Sequence, residues 1–261
     1  MKPITQISNA AKKGIRFVLT DIDDTLTHNG RLPALAYESM ERLKQADIKV
    51  IPITGRPAGW CDHFARMWPI DALVGENGAF YFRYDESSKK MLRSYWKSQS
   101  ERTIDQEKLT QIKKKVLKLV PGCAVSADQA YRDTDLAIDF CEDVPKLSET
   151  KVHEIVKYAT EFGAEAVISS IHVNVWFGGY SKLSMACRLL KEVYQLDLDQ
   201  IKDQVVFIGD SPNDASMFGF FPKTVGVANV LRFKNEMEHH PTWITSKEGG
   251  FGFAEMADIL L

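Results

Sequence analysis

Asp21-Ile22-Asp23-Asp24-Thr25 sets two carboxylates, Asp21 and Asp23, two residues apart directly after an apolar run at residues 15–20, IRFVLT. A strand that leaves a hydrophobic sheet and at once presents paired acids is a costly structural choice, because charge beside an apolar interior must be compensated. Paired carboxylates at the carboxyl end of a strand invite a cation, and the crevice outside the carboxyl ends of parallel strands is where such sheets bind ligands. Gly209-Asp210-Ser211-Pro212-Asn213-Asp214 repeats the arrangement after a second apolar run at residues 205–208, so Asp210 and Asp214 are expected to face Asp21 across the sheet. A hard oxygen-donor site with few protein ligands and room for water suits Mg²⁺ better than zinc, which favours His and Cys. The plainer alternatives are an acidic turn at 21–24 and a helix N-cap by Ser211 or Asn213, the latter compatible with a metal role.

Two further features fit an anion beside that cation. Thr54-Gly55-Arg56 closes an apolar run with a hydroxyl, a residue free in φ and a guanidinium, all able to face a phosphate, although a simple turn has the same composition. Lys182 begins an amphipathic helix, where its ammonium could neutralise phosphate oxygens and neighbouring carboxylates; alone, it would read as a solvated lysine.

These residues need a scaffold that gathers strand ends. Residues 15–20, 48–53, 72–74, 205–208, 224–227 and 243–245 read as short buried strands. Between them, residues 34–46 carry Ala36, Met40 and Leu43 at helical spacing, residues 182–196 carry Leu183, Ala186, Leu190 and Val193, and residues 251–261 read as a closing helix. Strand and helix alternating at short spacing implies parallel pairing with right-handed crossovers, hence a doubly wound, Rossmann-like α/β sheet. Residues 87–178 read differently: helices over 105–119 and 148–162, strands at 136–140 and 171–177, an inserted α+β unit that is expected to be antiparallel. The expected organisation is therefore a core from 1–86 and 179–261 interrupted by a cap at 87–178.

Composition narrows the function classes. With 261 residues, 44% apolar and 26% charged, the chain is long enough to bury a sizeable core. A formal charge of −2 supplies no basic field for nucleic acid. The four cysteines include no C-x-x-C pair, and no stretch is long and apolar enough for a membrane span or a signal h-region, so a cytoplasmic protein is expected.

Taken in order, DIDDT, ITGR, Lys182 and GDSPND resemble the four motifs of the haloacid dehalogenase superfamily of phosphohydrolases. The resemblance implies Asp21 as nucleophile, Asp23 as general acid/base, Thr54, Gly55 and Lys182 as phosphate ligands, and Asp21, Asp23 and Asp210 around Mg²⁺ with Asn213 and Asp214 in support. Glu76-Asn77-Gly78-Ala79, the long insertion before Lys182 and the Gly249-Gly250-Phe251-Gly252 segment resemble the subgroup with a type IIB cap, which includes sugar phosphatases, trehalose- and sucrose-phosphate phosphatases and phosphomannomutases. The chain departs from the pattern at Asp24 and Leu183, where Gly is common; both positions flank the chemistry.

The implied substrate is a small phosphorylated metabolite, most simply a sugar phosphate, with specificity lodged in the cap because the core sees only the phosphate. His172, Asn174 and Trp176 alternate along one strand and share a face; with Arg132, Arg56 and Asn77 they are the candidate substrate contacts, the alternative being an exposed or packed sheet face. A phosphomutase, returning the phosphoryl group to the sugar, and a non-catalytic ligand-binding relative are the other readings. Oligomeric state is not legible.

Overall fold

The computed structural model describes residues 1–169 and 171–261. The chain begins with β1 (Lys2–Pro3) and α1 (Asn9–Lys12), then alternates β2 (Phe17–Thr20), α2 (Ala34–Gln45), β3 (Lys49–Pro52), α3 (Ala58–Met67) and β4 (Leu73–Gly75), followed by the hairpin β5 (Phe80–Asp85) and β6 (Lys90–Tyr95). The insertion holds α4 (Gln99–Leu119), β7 (Ala124–Val125), β8 (Leu136–Asp139), α5 (Glu149–Thr160), β9 (Glu165–Ile168) and β10 (His172–Trp176). The chain returns through α6 (Lys182–Tyr194), α7 (Leu198–Ile201), β11 (Val205–Gly209), α8 (Ala215–Phe220), β12 (Thr224–Gly226), β13 (Trp243–Ile244) and α9 (Gly249–Leu260).

The central sheet is parallel, in the order β1-β13-β12-β11-β2-β3. Apart from the exposed edge strand β1, its strands are apolar on both faces because both are covered. Val18, Val50, Val206 and Ile208 pack toward α2, α3 and α9, while Phe17, Leu19, Ile51, Val205 and Phe207 pack toward α6 and α8. Here the expected doubly wound core is found. A parallel bridge between Ile53 and Val74 sets β4 beside β3, and β4-β5-β6 continue as an antiparallel meander.

The expected start of the cap, residue 87, falls in the turn of the β5–β6 hairpin, whose second strand pairs back from Lys90 to Tyr95. The next element, α4, begins six residues before the helix expected from periodicity, because Ser98 and Glu101 form a reciprocal capping box. The insertion is the expected antiparallel α+β unit, in the order β7-β8-β10-β9. Leu136, Ile138, Val173 and Val175 face α4 and α5, whose Leu109, Ile112, Val116, Val152 and Ile155 cover them. Period-two alternation then leaves Ala137, Asp139, His172, Asn174 and Trp176 on the opposite face, where Trp176 joins the main apolar cluster and stacks on Tyr180 at 5.9 Å. Among the described residues no helix is long and apolar enough to cross a membrane.

Candidate active site

The parallel ladder runs one residue past β2: the Asp21 N–H donates to Ile208 O at 3.0 Å, which sets Asp21 at the carboxyl edge of the sheet beside Gly209-Asp210. Asp21, Asp210 and Asp214 are all buried, and one carboxylate oxygen from each lies within 4.8 Å of the others. Lys182 Nζ reaches Asp21 Oδ1 at 2.8 Å and Asp214 Oδ1 at 2.9 Å. The lysine is set there by Ser181, which caps α6 through the Ser184 N–H. Asp214 Oδ2 accepts from the Asp210 N–H at 3.2 Å, so this carboxylate joins the strand end to the lysine. Thr25 Oγ1 donates to one oxygen of Asp210 at 3.2 Å and Asn229 Nδ2 to the other at 3.2 Å. Asn229 also donates to Asp24 O and accepts from the Gly249 N–H, tying three loops to the cluster.

The electrostatics are those of charge gathered without solvent. Burial pushes the Asp21 carboxyl up to about 7 against the pull of Lys182, with Asp214 and Asp23 adding to the rise. Asp210 is driven well above the carboxylate range by burial, then by Asp21 and Asp214. Burial alone would lower the Lys182 ammonium, but Asp21 and Asp214 outweigh it and its pKa ends above the ordinary value. A site that raises its own carboxylates in this way is short of positive charge, and its hard, all-oxygen donors fit a divalent cation such as Mg²⁺.

Above this floor, Thr54 is buried beside β4 through its N–H to Val74 O at 2.9 Å. Its Oγ1 accepts from the Arg56 N–H at 3.0 Å, which leaves the hydroxyl hydrogen to donate outward. Asn77 packs its amide on Gly55, where a Cβ would come within 3.1 Å of Asn77 Oδ1 and press the amide aside. Among the described residues, the buried Asn77 Nδ2 has no hydrogen-bond partner.

Asp23 is not one of the clustered carboxylates. Its side chain takes a forked contact from Arg56, Nε to both oxygens at 3.0 and 2.9 Å and Nη2 to Oδ1 at 2.7 Å, while the guanidinium lies 4.7 Å above the half-exposed Trp60 ring. The carboxylate that joins Asp21 and Asp210 in the cluster is Asp214, expected from the sequence in a supporting part. Asn213 Oδ1 accepts from Ser211 Oγ at 2.8 Å.

The cap meets this loop through side chains that sequence reading assigned to substrate. Arg132 is buried and its donors go to both oxygens of Asp128 and of Asp135 and to Gly55 O, so it ties cap to core and presents no open fork. His172 and Asn174 are buried on the cap face; Glu142 Oε2 stands 2.8 Å from His172 Nε2, and among the described residues Asn174 Oδ1 has no hydrogen-bond partner. Glu76 was legible only as part of a family signature. It is fully buried, and accepts from the N–H groups of Ala58 and Asp133 at 2.9 Å, Thr134 at 2.7 Å and Asp135 at 3.2 Å, and from Thr134 Oγ1. Nothing local signals Glu76 or Asn229, since both act on segments distant in the chain. At Asp24, where glycine is common in the resembled pattern, φ is +56°, backbone that glycine adopts without strain.

The profile of the haloacid dehalogenase-like hydrolases matches residues 18–163. No curated protein matches the chain by sequence. Among solved structures, the chain is similar to a Thermoplasma acidophilum protein (20% identity, 94% of this chain and 98% of that one, TM-score 0.71) and to a haloacid dehalogenase-like hydrolase from Bacteroides thetaiotaomicron (14%, 95% and 100%, 0.68). It is also similar to a sucrose-phosphatase from Synechocystis in complex with sucrose and phosphate (14%, 95% and 98%, 0.65). At these identities the likeness is one of fold, and it spans core and cap together.

Proposed function

Because the chain belongs to the haloacid dehalogenase-like hydrolases, we propose that it is a Mg²⁺-dependent phosphatase that cleaves the phosphate monoester of a small metabolite, a sugar phosphate above all, through an aspartyl-phosphate on Asp21. The observation that carries this reading is the buried meeting of Asp21, Asp210, Asp214 and Lys182 at the end of a parallel sheet, contributed by three separate segments. Asp21, Asp210 and Asp214 would hold the cation, whose chemistry is to neutralise the transferring group.

The chain's own groups have defined parts. Asp21 Oδ attacks phosphorus and the ester oxygen leaves, so one hard displacement becomes two easier ones. Lys182 Nζ, the Thr54 hydroxyl, the Gly55 N–H and Asn77 Nδ2 would meet the phosphoryl oxygens, where charge stabilisation does most of the work. Asp23 is the group for the proton, given to the leaving oxygen and then taken from the water that splits the aspartyl-phosphate. Arg56 occupies both Asp23 oxygens, so the first of these steps needs Asp23 to turn from Arg56 toward the ester.

The test is phosphate release from a panel of phosphorylated metabolites, with and without Mg²⁺, by wild type and Asp21→Asn. Selective, Mg²⁺-dependent release that the folded variant lacks is expected. Turnover near wild type in Asp21→Asn would remove Asp21 from the nucleophile role.

A further inference from the structure

Across from the floor, the cap wall holds an excess of acids whose cations are already taken up. Arg56 forks onto Asp23 and stands 3.9 Å from Asp128, and Arg132 is divided among Asp128, Asp135 and Gly55 O. Glu142 is close enough to Arg56 to stabilise its charge, yet its near contact is His172 at 2.8 Å, a ring whose pKa burial lowers against the pull of Glu142, so the imidazole does not cancel the carboxylate. The position of Glu142 is built: Asp139 Oδ1 accepts from the N–H groups of Cys141 and Glu142 at 2.9 and 2.8 Å and Oδ2 from that of Asp143 at 2.8 Å, which fixes the turn that carries it. Its side chain is 35% exposed, whereas those of Asp128 and Asp135 are sealed. On the same sheet face, among the described residues, Asn174 Oδ1 is buried without a hydrogen-bond partner, as are ring nitrogens of His172 and Trp176, so an open acceptor for a hydroxyl or ammonium donor stands there and the preference against an anion falls to Glu142.

We infer that this wall selects a substrate whose leaving group carries no second negative charge, the monophosphate of a neutral or amine-bearing polyol, and that Glu142 is the residue that sets the preference. The inference rests on the phosphatase reading and narrows its substrate class. A second phosphate or a carboxylate would meet Glu142 with both guanidinia engaged; a hydroxyl or ammonium would find acceptors.

The experiment compares a hexose monophosphate, the corresponding hexose bisphosphate and a phosphorylated sugar acid at saturating Mg²⁺, by turnover in the wild type and by calorimetric binding to Asp21→Asn. At least tenfold in kcat/KM and in Kd is expected in favour of the neutral sugar. Glu142→Gln should narrow that ratio by about tenfold, the scale of one partly screened charge contact, mainly through KM, and Glu142→Lys should narrow it further. Glu149→Gln, on the outer face of α5, should leave it unmoved. Equal or better handling of the bisphosphate by wild type overturns the inference, as does a preference that both Glu142 variants retain. A binding preference without turnover would sink the phosphatase reading and keep this one; no binding of any of the three sinks both.

Discussion

Replacing Glu76 by Gln tests whether a single buried carboxylate joins cap to core. One oxygen serves the N–H groups of Ala58 and Asp133, the other those of Thr134 and Asp135 together with the Thr134 hydroxyl. Whichever way a glutamine amide sits, its NH₂ faces two buried N–H donors, and stranding them costs about 2–4 kcal/mol. Titration adds a pH signature. Burial, then Asp135, lifts Glu76 to about 7 from an ordinary 4.5, with the Thr134 donors opposing. The folded chain thus holds a proton that the unfolded chain gives up as pH rises from 4.5 toward 7. This contribution is complete below 4.5 and lost as pH passes through 7, and it amounts to at most about 3 kcal/mol. Glutamine does not titrate, so the deficit of Glu76→Gln should be larger at pH 5 than at pH 8 by up to about 3 kcal/mol, or roughly 6–12 °C in Tm for a chain of this size. Urea denaturation of both proteins in EDTA at the two pH values reads the gap, and hydrogen exchange at residues 133–135 locates it. A gap that is the same at both pH values, or unchanged protection at 133–135, would refute the reasoning.

Other outcomes follow from the same geometry. Asn229→Ala removes one of the two donors that orient Asp210 and should raise the Mg²⁺ concentration for half-maximal activity by about 10–100-fold, read from a metal titration of turnover. Lys182→Met leaves Asp21 and Asp214 buried without their cation; stability at pH 8 without Mg²⁺ should drop by about 3–5 kcal/mol and phosphatase turnover by at least about 10²-fold, so an unchanged denaturation midpoint would count against the ion pairs. Asp24→Gly relieves a left-handed residue and should gain up to about 1 kcal/mol with kcat retained; a loss of stability would mean that the Asp24 side chain has a role of its own.

The core was legible because its signals are local. An apolar run that breaks into acids reads as a strand end in both places where it occurs, and with four further apolar runs and the intervening amphipathic helices a parallel sheet is the natural arrangement. Such a sheet puts the carboxyl ends of β2, β3 and β11 on one edge, so the meeting of Asp21, Thr54 and Asp210 follows from topology before any side chain is placed. The start of α4 was also available, in the Ser98–Glu101 box, although hydrophobic periodicity alone placed it too late.

Sequence by itself determined the kinds of group at the site, acids, a lysine, a hydroxyl and a guanidinium, and the scaffold that collects them. Tertiary structure decided how those groups are shared. Asp214 completes the carboxylate cluster, with Lys182 between it and Asp21; Arg56 claims Asp23; Arg132 spends its fork on Asp128 and Asp135; and Glu76 becomes a joint between cap and core. Residue type and spacing report burial and period, which are properties of a few neighbouring positions. Which carboxylate a buried cation takes depends on which segments dock, and there several acids compete for few cations in a medium where an unpaired charge is costly.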